Sequence, residues 1–406
     1  RRRPERHHVF DRVLGVLLIE ESKDMTRMAS IRRLAVTVGV LLLSIGALTV
    51  ARPLRGGAAL QAQTASAGAA NQFNDSHFHL TNYVQQGITM PQFLQIMGNR
   101  VSRSTLFGIP VQQQWSYANS GDFAPTYYLH SDAPLYYYSF TDASIASLYR
   151  ALAPAQQARF DPMITGFNPA DMYGVDHIRR VLTTFPGVFT GIGEFSIHKE
   201  FVSAKISGET ASLTNPALDR ILDFAGEAGL VVILHNDIDV PFGKVDTEPV
   251  YLTQTKALLK RHPTTAIIWA HTGLGRIVQP VQVSAEAAER TPRHVDLLAG
   301  MLEDPALGHV SFDISWDEVA KYAVATPETT ARVAAMFNKY PDRFLFGTDT
   351  VAPAGPEPYY RVFDLWTPIW KLLTPDASLK VRKGNYERIF DEGRRRVRAW
   401  EKANVR

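Results

Sequence analysis

FNDSHFH, residues Phe73 to His79, is a short apolar strand-like run that ends in an H-x-H pair. Alternate residues of a strand point to one face, so the imidazoles of His77 and His79 project together while Phe78 turns away. A strand can present two nitrogens to one cation in this way. Four more candidate ligands follow in order, Glu194, His235, His271 and Asp349, each closing an apolar strand-like run. Six such side chains at the C-terminal ends of five strands point to a metal-centred hydrolytic barrel.

Around that first run the chain alternates two patterns. Strand-like runs are Phe73–His79, Pro134–Thr141, Met163–Asn168, Val188–Phe195, Leu230–Asn236, Thr265–His271, Val310–Ser315 and Phe344–Asp349. Near-continuous apolar runs such as LVVILH and TAIIWAH are expected of parallel strands buried on both faces. Helical patterns lie between them, at Met90–Arg103, Ile145–Phe160, Val175–Phe185, Asn215–Gly229, Pro249–Arg261, Arg293–Glu303 and Asp317–Tyr340, with a last one from about Ser378 to Glu401. Eight strands interleaved with helices predict an α/β chain folded as a (β/α)8 TIM barrel over residues 68–406. An open doubly wound sheet is disfavoured, because no Gly-rich phosphate turn follows the first strand. Phe107 to His130, rich in Gln and aromatics and containing Trp115, and Pro241 to Val250 read as loops at the mouth of such a barrel.

Of the 43 Lys/Arg and 40 Asp/Glu, 11 and 5 fall in residues 1–67, so the remainder carries three more acids than bases. The basic excess is confined to the N-terminal segment, and no nucleic-acid partner is expected. There is no cysteine, which excludes disulfides, thiolate metal sites and a Cys nucleophile. Leu34 to Val50 is an uncharged stretch preceded by Arg32-Arg33 and followed by Ala65-Ser66-Ala67. The order basic, apolar, small predicts an export signal, or a membrane anchor if 34–50 stays uncleaved. Met25 and Met28 are candidate start residues, and a periplasmic or extracellular location is expected. Contact with a membrane is expected only through residues 34–50.

Each candidate ligand has a bland alternative: His235 or His271 as a hydrogen-bonded core histidine, Glu194 as a buried partner of Arg or Lys, Asp349 as a helix N-cap. Their joint placement is what the alternatives leave unexplained. A barrel gathers the C-terminal ends of its strands on one rim, and unpaired buried His and carboxylates there are costly. A bound cation removes that cost.

This order of motifs resembles the amidohydrolase superfamily, whose pattern is H-x-H on the first strand, Lys or Glu on the fourth, His on the fifth and sixth, and Asp on the eighth. The segment Gly384-Asn385-Tyr386-Glu387-Arg388-Ile389-Phe390 is similar to one near the C-terminus of these proteins. Gly273-Leu274-Gly275-Arg276 resembles the branch holding aminocarboxymuconate semialdehyde decarboxylase and lactone hydrolases. The carboxylate Glu194 is instead similar to that of TatD-type nucleases, where it bridges two metals. The resemblance implies one ion on His77, His79, Glu194 and Asp349, and a second on Glu194, His235 and His271. With one ion, His77, His79, His235 and Asp349 suffice, and His271 polarises the substrate or orients the water.

A divalent metal is therefore the expected cofactor, one or two ions per chain, with zinc the default for His and carboxylate ligands. The expected activity is hydrolysis of an ester, lactone or amide of a small-molecule substrate, with Asp349 as general acid/base and His271 beside it. A non-oxidative decarboxylase on the same scaffold and a non-catalytic exported binding barrel are the alternatives. Lys199, Arg276, Trp316 and Trp115 are candidate substrate contacts.

Overall fold

The computed structural model describes residues 72–82, 86–109, 114–115, 129–130, 140–199, 202–203, 205–206, 209–240, 248–275 and 292–405, all within the compact unit Ser66–Arg406. The predicted export segment, residues 1–67, lies outside the described residues, as does Arg276. Among the described residues no helix is long and apolar enough to cross a membrane.

Eight strands form one parallel sheet in chain order: β1 Phe73–Asp75, β2 Val101–Leu106, β3 Phe160–Ile164, β4 Gly191–Ser196, β5 Val231–His235, β6 Ile267–Trp269, β7 Val310–Asp313 and β8 Phe344–Leu345. Its two edges meet. Beyond β1, Phe78–His79 pairs in parallel with Thr350–Val351, and the Ser76 and Asp349 amides donate to Phe346 O (3.0 Å) and His77 O (2.8 Å). The sheet thus curls as in a TIM barrel, and the connection after β8 is held against the H-x-H segment.

Strand alternation sorts the core into two clusters. Val231, Ile233, Ile268, Met163 and Leu345 belong to one, with Tyr386 and Phe390 from the last helix, Asn385–Asn404. Val232, Leu234, Ile267 and Trp269 belong to the other, shared with the surrounding helices. Strands buried on both faces need apolar residues at every position, as β5 shows. The last helix is tied to the start of β3. The Tyr386 hydroxyl donates to Asp161 (2.8 Å), as do the guanidinium groups of Arg103 and Arg394. Asn385 donates to Pro341 O and Phe344 O, fixing the entry to β8.

Four sequence-based expectations are corrected. The helix expected over Met90–Arg103 ends at Met97, where Gly98 takes φ +51°, and Val101–Leu106 is the second strand. The strand expected at Pro134–Thr141 does not form at its described end, since Phe140 opens the helix Phe140–Arg150. β2 escapes an apolar-run criterion because it buries Ser104 and Thr105 and sends Arg103 to Asp161 and Asp391. The third strand accordingly starts at Phe160, inside the helix expected over Ile145–Phe160. The helical run Asp317–Tyr340 divides into Asp317–Ala323 and Pro327–Lys339, the second capped by Thr326 with Pro327 in its first turn.

Candidate metal centre

All six sequence-predicted ligands converge. His77, His79, Glu194 and Asp349 form one donor group, and Glu194, His235 and His271 another, each with its donor atoms within 4.8 Å of one another. In the first, His77 Nε2 lies 3.5 Å from Glu194 Oε2 and 3.3 Å from Asp349 Oδ1. His79 Nε2 lies 3.2 and 3.0 Å from the same two oxygens. A tetrahedral site with bonds of about 2.0–2.1 Å has edges of about 3.3 Å, so these separations fit one divalent cation. In the second group His235 Nδ1 contacts Glu194 Oε1, and His271 Nε2 lies 3.5 Å from that oxygen. Glu194 therefore turns one oxygen to each group.

The donor chemistry passes a further test. His77 Nε2 and His271 Nε2 are buried and make no well-directed hydrogen bond, although both face carboxylates. Buried polar atoms left in this way are unfavourable unless a ligand takes them up. Among the described residues, every ion pair of Glu194 and Asp349 is with a histidine. Burial raises the Glu194 carboxyl, but His235 and His77 outweigh it and hold it well below the usual range. The same opposition holds Asp349 well below its usual value, with His271, His77 and His79 outweighing burial. Burial lowers His77 and His235, but Asp313 with Glu194 raises the former well above its ordinary value, and Glu194 carries the latter to about 9.

Backbone geometry aims these groups. Gly193 has φ +110°, and a Cβ there would lie 2.2 Å from Ile233 O, so β4 can deliver Glu194 beside His235 only with glycine at 193. His271 (φ +55°), Thr272 (φ +54°), Trp316 (φ +76°) and Asp349 (φ +53°) all hold the left-handed region, which costs on the order of 1–3 kcal/mol per residue. Local hydrogen bonds offset that cost. Asp313 Oδ1 accepts the His271 amide (2.9 Å), and the Asp349 amide donates to His77 O.

From sequence, Asp313 stood out only as a polar residue near the end of the seventh strand that could shape the pocket, and Asp75 and Asp237 did not stand out at all. Asp313 Oδ2 accepts from His77 Nδ1 at 2.9 Å. Its Oδ1 accepts the Ser315 hydroxyl, whose oxygen in turn takes His271 Nδ1–H at 2.9 Å. Asp75 accepts the His77 amide, the Thr348 amide and hydroxyl, and the Tyr359 hydroxyl. Burial pushes its carboxyl up to about 6 against those bonds. It ties the first ligand strand to the loop that carries Asp349. Asp75 precedes His77 by two residues and Asp237 follows His235 by two, and that spacing was a usable signal.

Of the candidate substrate contacts, Trp316 is at the site, with its ring centroid 5.3 Å from that of His271. Lys199 is half-buried on the two-residue strand His198–Lys199, close enough for its charge to lower His235. Trp115 lies on the short strand Gln114–Trp115, which pairs with Leu129–His130, and its side chain is outside the described residues.

The amidohydrolase family model matches residues 75–391, and the chain belongs to that family. It is an enzyme of the amidohydrolase superfamily. Similar solved structures include a zinc-bound amidohydrolase from Burkholderia multivorans, at 13% identity over 79% of this chain and 99% of that one with a TM-score of 0.49. Dihydroorotase from Campylobacter jejuni is similar at 12% identity over 79% and 84%, with a TM-score of 0.45. A TIM-barrel protein from Bordetella bronchiseptica is similar at 14% identity over 75% and 82%, with a TM-score of 0.42. No curated protein matches the chain.

Proposed function

We propose that the chain is a metal-dependent hydrolase of an ester, lactone or amide, with two cation positions bridged by Glu194 and with Asp349 as general acid/base. The carrying observation is the split of Glu194, Oε2 toward His77 and His79 and Oε1 toward His235 and His271. A bound divalent cation acidifies water and polarises a carbonyl oxygen. His and carboxylate donors suit zinc.

The residues supply the rest. Asp349 is ionised at neutral pH and so accepts a proton from the attacking water. Its Oδ1 faces His77 and His79, while Oδ2 lies toward His271 (3.9 Å from Nε2). That second oxygen carries the proton to the leaving group.

The tautomer of His271 separates this reading from a one-metal decarboxylase in which His271 polarises the substrate. The Ser315 hydroxyl donates its proton to Asp313, so its oxygen must accept from His271 Nδ1–H. Burial lowers the His271 pKa and keeps the ring neutral. Nε2 then carries a lone pair, which suits a metal ligand and not a hydrogen-bond donor to substrate. The uncharged run at 34–50, with Arg32-Arg33 before it, supports export as part of the same proposal.

Elemental analysis of the purified protein, followed by an ester, lactone and amide panel with and without chelator, tests the reading. Two divalent ions per chain and hydrolysis that chelation abolishes are expected. Full hydrolysis after exhaustive chelation would overturn it.

A further inference from the structure

The three histidines whose outer ring nitrogen has a hydrogen-bond partner do not face the donor cluster in the same way. His77 and His271 turn Nδ1 outward, to Asp313 and Ser315, and aim Nε2 inward. His235 is reversed. Its Nδ1 meets Glu194 Oε1, and its Nε2 lies 3.0 Å from Asp237 Oδ1. A carboxylate oxygen at this distance is matched by an N–H, which places a ring proton on Nε2.

The protein holds Asp237 firmly in this position. It follows His235 by two residues, its amide donates to His198 O at 2.9 Å, and its side chain is buried. A Cβ at Gly275 would lie 2.9 Å from Asp237 Oδ2, so glycine there leaves room for the carboxylate.

Once His235 gives up a proton to serve as a neutral ligand it has one N–H, and two carboxylates compete for it: Glu194 at Nδ1 and Asp237 at Nε2. If Glu194 alone were present, the proton would sit on Nδ1 and block the only nitrogen that faces the second donor group. We propose that Asp237 is a positioning residue which keeps the proton on His235 Nε2 and so reserves Nδ1 for a divalent cation. This rests on the two-position reading above.

The test uses full-length protein, zinc as the probe, and the variants Asp237→Leu and Asp237→Asn. Zinc affinity at each position is read by chelator competition, and stability of the metal-free protein by urea denaturation. In ¹⁵N-histidine-labelled, zinc-loaded protein, the His235 Nε2–H resonance is followed as well. Asp237→Leu is expected to weaken one of the two zinc positions by about 10–100-fold, leave the other within about threefold, and broaden or remove the Nε2–H signal. Asp237→Asn keeps an acceptor oxygen and is expected to recover most of the affinity, which a loss of packing alone would not predict. Retention of both affinities within about threefold in Asp237→Leu overturns the proposal. So does an Asp237→Asn variant that folds but falls as far as Asp237→Leu. Wild-type protein that binds fewer than two zinc ions removes the underlying reading and this proposal together, and that outcome is visible before any variant is made.

Discussion

Lowering the pH should expel the metal, and the slope follows from the site. In the metal-free protein His235 is held between Glu194 and Asp237 and titrates at about 9, against an ordinary value of 6.5. Its Nδ1 proton must leave before a cation can occupy that position. Below pH 9 each unit therefore costs about tenfold in apparent affinity, or about 1.4 kcal/mol. Between pH 8 and pH 6 the second donor group should lose about 100-fold. The first group should weaken in the same direction, because Asp313 and Glu194 raise His77. The sign is set by the raised pKa values: protons compete better as pH falls, so affinity climbs with pH. Stability of the metal-free protein runs the other way. The His235 contribution, on the order of 3 kcal/mol, is fully present below about pH 6.5 and is lost as pH rises through about 9. Zinc competition at pH 6, 7 and 8, with calorimetry in buffers of different ionisation enthalpy, reads both affinity and protons released. Affinities that agree within about threefold across that range, with no proton release, would refute the reasoning.

Three substitutions probe the supports of the site. Gly193→Ala places a Cβ 2.2 Å from Ile233 O at a left-handed φ, and should cost about 2–3 kcal/mol in urea denaturation and lower the bound metal. An unchanged urea midpoint with full metal content would contradict the account of β4. Ser315→Ala removes the acceptor of His271 Nδ1–H and should weaken one metal position about tenfold or more, by chelator competition. Unaltered affinity would remove the tautomer argument. Arg394→Ala takes one donor from the buried Asp161 and should cost about 1.5–3 kcal/mol, read by urea denaturation, with metal content unchanged. Loss of metal in that variant would show that the last helix and the donor cluster are coupled.

The legible strands were those whose burial is chemically uniform. β5 and β6 are apolar on both faces, and the runs LVVILH and TAIIWAH announced them. β2 was illegible because its Arg103 answers Asp161 and Asp391, 58 and 288 residues away. No local pattern can record a partner so distant. The convergence of His77, His79, Glu194, His235, His271 and Asp349 was anticipated, since strand ends of a barrel share a rim.

By itself the sequence determined the parallel architecture from β4 onward and which six candidate side chains stand at the strand ends. Both follow from local periodicity and from residue chemistry at strand ends. Tertiary structure decided which nitrogen of each ring faces inward and which oxygen of Glu194 serves which group. It also assigned Asp75, Asp237 and Asp313 to hold them there. Those choices depend on hydrogen bonds between strands far apart in the chain, whose directions exist only once the sheet has closed.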